Sequence, residues 1–157
     1  MKTAFTLCLG FVLGVSLNLF GPRALAQGGP GVERTTWYFY TVKWGAQDEF
    51  LDLFTRNHYP VLKAQLGSRI TAIKAYVPTN HGDGRADWTF ATALTFKDVN
   101  AMVGPSPESE IARKMYPDQA TFTREEAHRF ELVQAHWDVP LTELDLDARL
   151  QSPGRQP

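Results

Sequence analysis

The chain has 157 residues, with 16 Lys+Arg against 17 Asp+Glu and a formal net charge of −1. That length suits a single domain, and the balanced charge lacks the basic footprint a nucleic-acid binder needs. A composition of 43% hydrophobic and 21% charged residues excludes wholesale disorder.

Residues 1–26 read as an export signal. Lys2 gives a positive start, and Ala4 to Phe20 is an uncharged, mostly apolar run. Gly21-Pro22 breaks it, and Ala24-Leu25-Ala26 fits small-x-small cleavage before Gln27. The expected location is therefore periplasmic or extracellular, with no stable membrane association after cleavage. Removing Lys2 and Arg23 with the leader leaves the mature chain more acidic. The single cysteine, Cys8, lies inside this run. The mature chain is then without disulfides, thiolate nucleophiles and Cys-ligated metal sites.

Residues 27–34 hold three glycines and a proline and read as a flexible lead-in. Thr35 to Trp44 is rich in aromatic and β-branched residues and predicts strand one. Gln47 to Leu66 predicts a helix, with Phe50, Leu53, Phe54, Val61, Leu62 and Leu66 on one face. Gly67 suits its stop. Pro60 within it predicts a kink and a freed carbonyl at Arg56.

Ser68 to Val77 predicts strand two, closed by Pro78, and residues 79–85 (TNHGDGR) a turn-rich loop. His81 and Asp83 in that loop suit turn chemistry better than a metal. Asp87 to Phe96 alternates and predicts strand three, with Trp88, Phe90, Leu94 and Phe96 on one face. Asp98 predicts a cap for a short helix to Val103. Ser106-Pro107 predicts the opening of another, through Tyr116. Thr123 to Glu126 fits a capping box for a short helix near residues 124–129. Phe130 to Val139 alternates as strand four, and residues 141–157 read as a disordered tail.

The order β-α-β-β-α-β over residues 35–140 is the split arrangement of a ferredoxin-like α+β fold with a four-stranded antiparallel sheet. Helices cover one face of such a sheet. Strand one is apolar on both faces, with Trp37 and Phe39 opposite Tyr38, Tyr40 and Val42. An uncovered aromatic face is rarely tolerated in a monomer, so the sequence predicts a homodimer packed sheet to sheet.

The segment WYFYTVKWG running into QDEFLDLF, followed by Asp87-Trp88 opening a long third strand, resembles the dimeric α+β barrel superfamily. That group contains antibiotic-biosynthesis-type monooxygenases and EthD-like proteins. The resemblance covers residues 35–140 and implies a pocket between sheet and helices. It also implies a monooxygenase-like or isomerase-like activity without a cofactor. Haem-degrading members of that superfamily use an Asn on strand one, a Trp on strand three and a His on the second helical segment. Trp88 fits the second place. Strand one holds no Asn, and His128 sits far along its helix, so haem degradation is not carried over.

His58 is the most informative candidate, as a general base at the polar end of an apolar pocket. The competing reading is that it satisfies the kinked backbone. Asn57 neighbours it. Tyr40, Tyr76, Trp88 and His136 are pocket candidates, although aromatic core is the favoured reading of Trp88 and hydrogen-bonded core that of His136. His128, in REEAHR, reads as a solvated face, and Glu125-Glu126 as helix-end capping. No metal set, phosphate-cradling glycine loop or nucleophile elbow is present. The expected function is binding a small organic molecule, with His58 as base. A non-catalytic dimeric scaffold, or haem bound through His58 or His136, are the rival readings.

Overall fold

A computed structural model describes residues 31–80 and 87–150. The expected leader, with Cys8, and the loop residues His81 and Asp83 lie outside them. The elements are β1 (Arg34–Val42), α1 (Gln47–Leu53), a π-helical turn (Phe54–His58), α2 (Tyr59–Lys63), β2 (Ile70–Tyr76), β3 (Phe90–Phe96), α3 (Val99–Val103), α4 (Glu108–Met115), α5 (Gln119–Glu131), β4 (Val133–Leu141) and α6 (Leu146–Leu150). The strand order is β2-β3-β1-β4, with every pairing antiparallel. This is the ferredoxin-like arrangement that the element order implies. The short α6 stands where the sequence suggests an irregular tail.

The core lies between one sheet face and the helices. Tyr40 and Val42 of β1 and Phe90, Leu94 and Phe96 of β3 meet Phe50, Leu53, Phe54 and Leu62. The side chains of β1 alternate, so Trp37 and Phe39 fall on the other face. Gly67 sits at φ +79°, a left-handed conformation that glycine adopts without steric cost, and turns the chain toward β2. Asp98 caps α3 as its sequence suggests, accepting from Ala101 N–H at 2.7 Å.

Pro60 does not kink the first helix in the way its sequence implies. The chain inserts a π turn just before it, and Tyr59 N–H reaches back five residues to the Phe54 carbonyl. In an α register the Arg56 carbonyl would need the N–H that Pro60 lacks. The Tyr116 hydroxyl, between α4 and α5, lies 2.9 Å from Arg56 O and 3.0 Å from Asn57 O and donates to them instead. His58 is thereby released from any backbone duty.

The second helical region also departs from its capping-box reading. Asp118, not Thr123, caps α5, accepting from Thr121 N–H at 3.0 Å. The helix runs thirteen residues, to Glu131, so β4 begins later than the alternation suggests. Thr123 and Glu126 are interior to it. This register turns Glu126 and Arg129 inward.

Trp88 is not the first residue of strand three. Thr89 interrupts the ladder there: its N–H donates to Tyr40 O at 2.8 Å, and its hydroxyl accepts from Val42 N–H at 2.8 Å. The bend breaks the alternation. Trp88 turns to the uncovered face, where its ring meets Phe39 edge-on at 5.6 Å.

That face carries a continuous aromatic layer. Phe39 stacks on Trp37 at 5.7 Å and on Trp137 at 5.3 Å. Trp37 also stacks on Tyr76 at 4.7 Å, although β3 lies between their strands. The residues of β3 in register there are Ala91 and Ala93, whose small side chains let the larger rings lean across.

Candidate functional site

A cavity of about 280 Å³ lies between the sheet and the helices. Tyr38, Tyr40 and His136 form its sheet side together with Thr92, Leu94 and Phe96. His58 and Leu62 come from the first helical run, and Arg129 and Phe130 from α5. Arg69, Ser106 and Glu108 complete the rim. The volume is at the small end of ligand pockets, and the mixture of rings and convergent polar groups is typical of them.

His58 is the last residue of the π turn, and its Nδ1 lies 3.4 Å from Glu126 Oε2. The contact is a charge contact and not a hydrogen bond; the tautomer that turns its Nδ1 proton to the carboxylate, which only accepts, keeps a lone pair on Nε2. Glu126 is mostly buried and tied further. Arg129 donates to it twice, Nε to Oε1 at 3.0 Å and Nη2 to Oε2 at 2.8 Å. Burial pushes the Glu126 carboxyl upward, but contacts from His58 and Arg129 outweigh it and hold the group down at about 2. Glu126 is therefore an anion at any ordinary pH. An imidazole beside a mostly buried carboxylate, with no partner for its other nitrogen among the described residues, has the layout of a base and its orienting group.

Arg129 is fully buried, with its guanidinium 4.5 Å from the Phe130 ring centroid and within 6 Å of Phe50 and Phe54. Its Nη1 has no hydrogen-bond partner among the described residues. Tyr40 is buried, and burial pushes its hydroxyl to about 12 despite the opposing pull of Arg129. Burial, followed by the charge of Asp138, likewise raises Tyr38. Both hydroxyls remain protonated donors at neutral pH. His136 stacks on Tyr40 at 4.3 Å, gives its Nδ1–H to Phe39 O at 2.9 Å and places Nε2 3.2 Å from Asp138 Oδ1.

The structure thus brings His58, Tyr40 and His136 of the sequence candidates into one cavity. Tyr76 and Trp88 lie instead on the aromatic face, across the sheet from it. Asn57 is buried beside His58 but turns away, donating to Glu125 Oε2 at 2.8 Å. His128 is exposed, as its charged surroundings suggest, bridging Glu49 at 2.8 Å and Glu131 at 3.3 Å.

Glu126 and Arg129 were not legible as site residues, because REEAHR reads as a solvated run. The available signal was spacing. Phe122, Glu126 and Arg129 stand at i, i+4 and i+7, one stripe of a helix long enough to hold them. Among the described residues, no group of three or more His, Cys, Asp or Glu could hold a metal ion. No helix there is long and apolar enough to cross a membrane.

No family model matches the chain, and no curated protein does. Solved structures similar to it include an EthD family protein from Bacillus halodurans C-125, at 8% identity and TM-score 0.48, covering 72% of this chain and 100% of that one. A NIPSNAP family protein from Agrobacterium tumefaciens C58 is 13% identical at TM-score 0.48, covering 76% of this chain and 92% of that one. A dabb family protein with a ferredoxin-like fold from Mesorhizobium loti MAFF303099 is 15% identical at TM-score 0.46, covering 72% and 98%.

Proposed function

We propose that this chain is an exported homodimer that binds a small organic molecule in the cavity beneath its sheet. His58 acts there as a general base, in a monooxygenase-like or isomerase-like reaction without a cofactor. The observation that carries the reading is the His58–Glu126 contact in the cavity wall. In this reading His58 Nε2 takes a proton from an acidic C–H or O–H of the ligand. Glu126 fixes the ring and balances the imidazolium that forms. Tyr38 and Tyr40 stand by as neutral donors. Returning the proton to another carbon gives an isomerisation, whereas an encounter of the carbanion with dioxygen gives an oxygenation.

The aromatic layer supports the homodimer, because a second copy covers both such faces at once. The charged start, apolar run and cleavage pattern of residues 1–26 support export.

The test uses the chain without residues 1–26, incubated in deuterium oxide with small enolisable ketones and phenols, with exchange read by NMR. The expected result is exchange above the buffer rate, reduced about 100-fold or more in His58→Gln. Equal exchange in His58→Gln and wild type removes His58 as base. Saturable binding without any exchange leaves the non-catalytic binding protein in its place.

A further inference from the structure

The cavity is unbalanced in its hydrogen-bonding groups. The Tyr40 hydroxyl lies in its wall and has no hydrogen-bond partner among the described residues, although the side chain is only 4% exposed. Arg129 is in the same wall, and its buried Nη1 is also without a partner. Arg129 Nη1 is a buried donor without a partner, and the Tyr40 hydroxyl is a donor that opens on the same cavity, so an acceptor there would meet both. Among the described residues Arg69, at the rim, donates to neutral oxygens, Gln65 Oε1 at 3.2 Å and the Met102 carbonyl at 3.4 Å.

The charges point the same way. Among the described residues Glu126 is the carboxylate paired with both Arg129 and His58, and Asp138 lies against His136. Arg129 balances the charge of Glu126, so the pair presents no surplus negative charge to an anion. Glu108 is the carboxylate that lines the cavity itself, half-exposed at the start of α4, and it is in no ion pair with Arg129 or His58.

We propose that this cavity takes a small organic carboxylate, whose anionic oxygens accept from the Tyr40 hydroxyl and from Arg129 Nη1. Leu62, Leu94, Phe96 and Phe130 then receive the apolar remainder. An acceptor-only anion satisfies both donors, and charge-assisted bonds to it are about twice as strong as neutral ones. An enolate oxygen generated by His58 would meet the same donors, but a carboxylate does so before any reaction. The inference rests on the cavity being the ligand site and not on His58 being a base.

Benzoate and benzamide separate these cases, since neither can enolise and they differ in the charged head. Both are titrated calorimetrically into the chain without residues 1–26, in wild type and in Tyr40→Phe. The expected result is one benzoate site per chain, with benzamide about tenfold weaker or more. Tyr40→Phe weakens benzoate by about tenfold and benzamide, a neutral acceptor, by less, with the variant's melting temperature no lower than that of wild type. Equal affinity for benzoate and benzamide overturns the proposal, as does benzoate binding that Tyr40→Phe does not alter. Absence of benzoate binding also overturns it, even where ketones still exchange protons through His58.

Discussion

The Tyr116 hydroxyl donates to the Arg56 carbonyl at 2.9 Å, standing in for the amide proton that Pro60 does not have. The bond ties the start of the second helical region to the π turn that ends in His58. It also explains why His58 faces the cavity: the backbone has another partner. Tyr116→Phe should therefore destabilise the fold by about 1 kcal/mol, the usual net worth of such a bond. In a Pro60→Ala background, where an N–H returns, the same substitution should cost less. Urea unfolding of the two single variants and the double variant measures the difference. Equal costs in the two backgrounds would show that the hydroxyl does not replace the missing donor.

Glu126 holds a fully buried arginine, so acid should expose the dependence. Its folded-state carboxyl sits at about 2, below its ordinary 4.5. The stabilisation is complete above the ordinary value and is lost as pH falls through the folded one. The window is therefore from about 4.5 down to about 2, and the amount at stake is on the order of 3 kcal/mol. Glu126→Gln should remove that acid-sensitive component. It should also cost about 3–5 kcal/mol at neutral pH, because Arg129 is left buried without its counter-charge. Thermal melts across this pH range check both. A parallel acid response in variant and wild type would assign the loss to other carboxyls.

The sheet was legible because each strand carries its own evidence. The aromatic and β-branched run at Thr35 to Trp44 and the alternation through Phe96 need no knowledge of the rest of the chain. The site was legible only in part. His58, Tyr40 and His136 stood out as polar or amphipathic groups in apolar stretches, and the fold gathers them. Tyr116 serves a carbonyl 60 residues away, and no local pattern encodes such a partner. Arg129 sits in a charge-rich run, where only a longer helix turns it inward. Trp88 was misplaced because Thr89 puts its own hydroxyl into the ladder, a tertiary choice that alternation does not record.

The exposed trio of Glu49, His128 and Glu131 gives a prediction of opposite sign. Contact with Glu49 first, and then with Glu131, raises His128 above its ordinary 6.5. A raised histidine contributes its stabilisation fully below the ordinary value and loses it as pH rises through the folded one. The melting-temperature gap between wild type and His128→Ala should be widest below pH 6.5 and close at alkaline pH. Because the group is exposed, added salt should narrow the gap. A gap that persists in alkaline, high-salt buffer would mean that His128 acts by packing instead.

Phe39 is at the centre of the aromatic layer, in ring contact with Trp37, Trp88 and Trp137. It is also far from the cavity chemistry, since β1 turns Tyr38 and Tyr40 to the opposite face. A charge at this position should therefore separate assembly from ligand binding. Around a two-fold axis every substitution enters the interface twice, so Phe39→Lys buries two cations in the dimer. Light scattering should give the mass of two chains for wild type at micromolar concentration and of one chain for Phe39→Lys. Far-ultraviolet circular dichroism should still show the same helix and strand content. A monomeric wild type would mean that the aromatic layer is covered by something other than a second copy. A dimeric Phe39→Lys would place the interface elsewhere on the molecule.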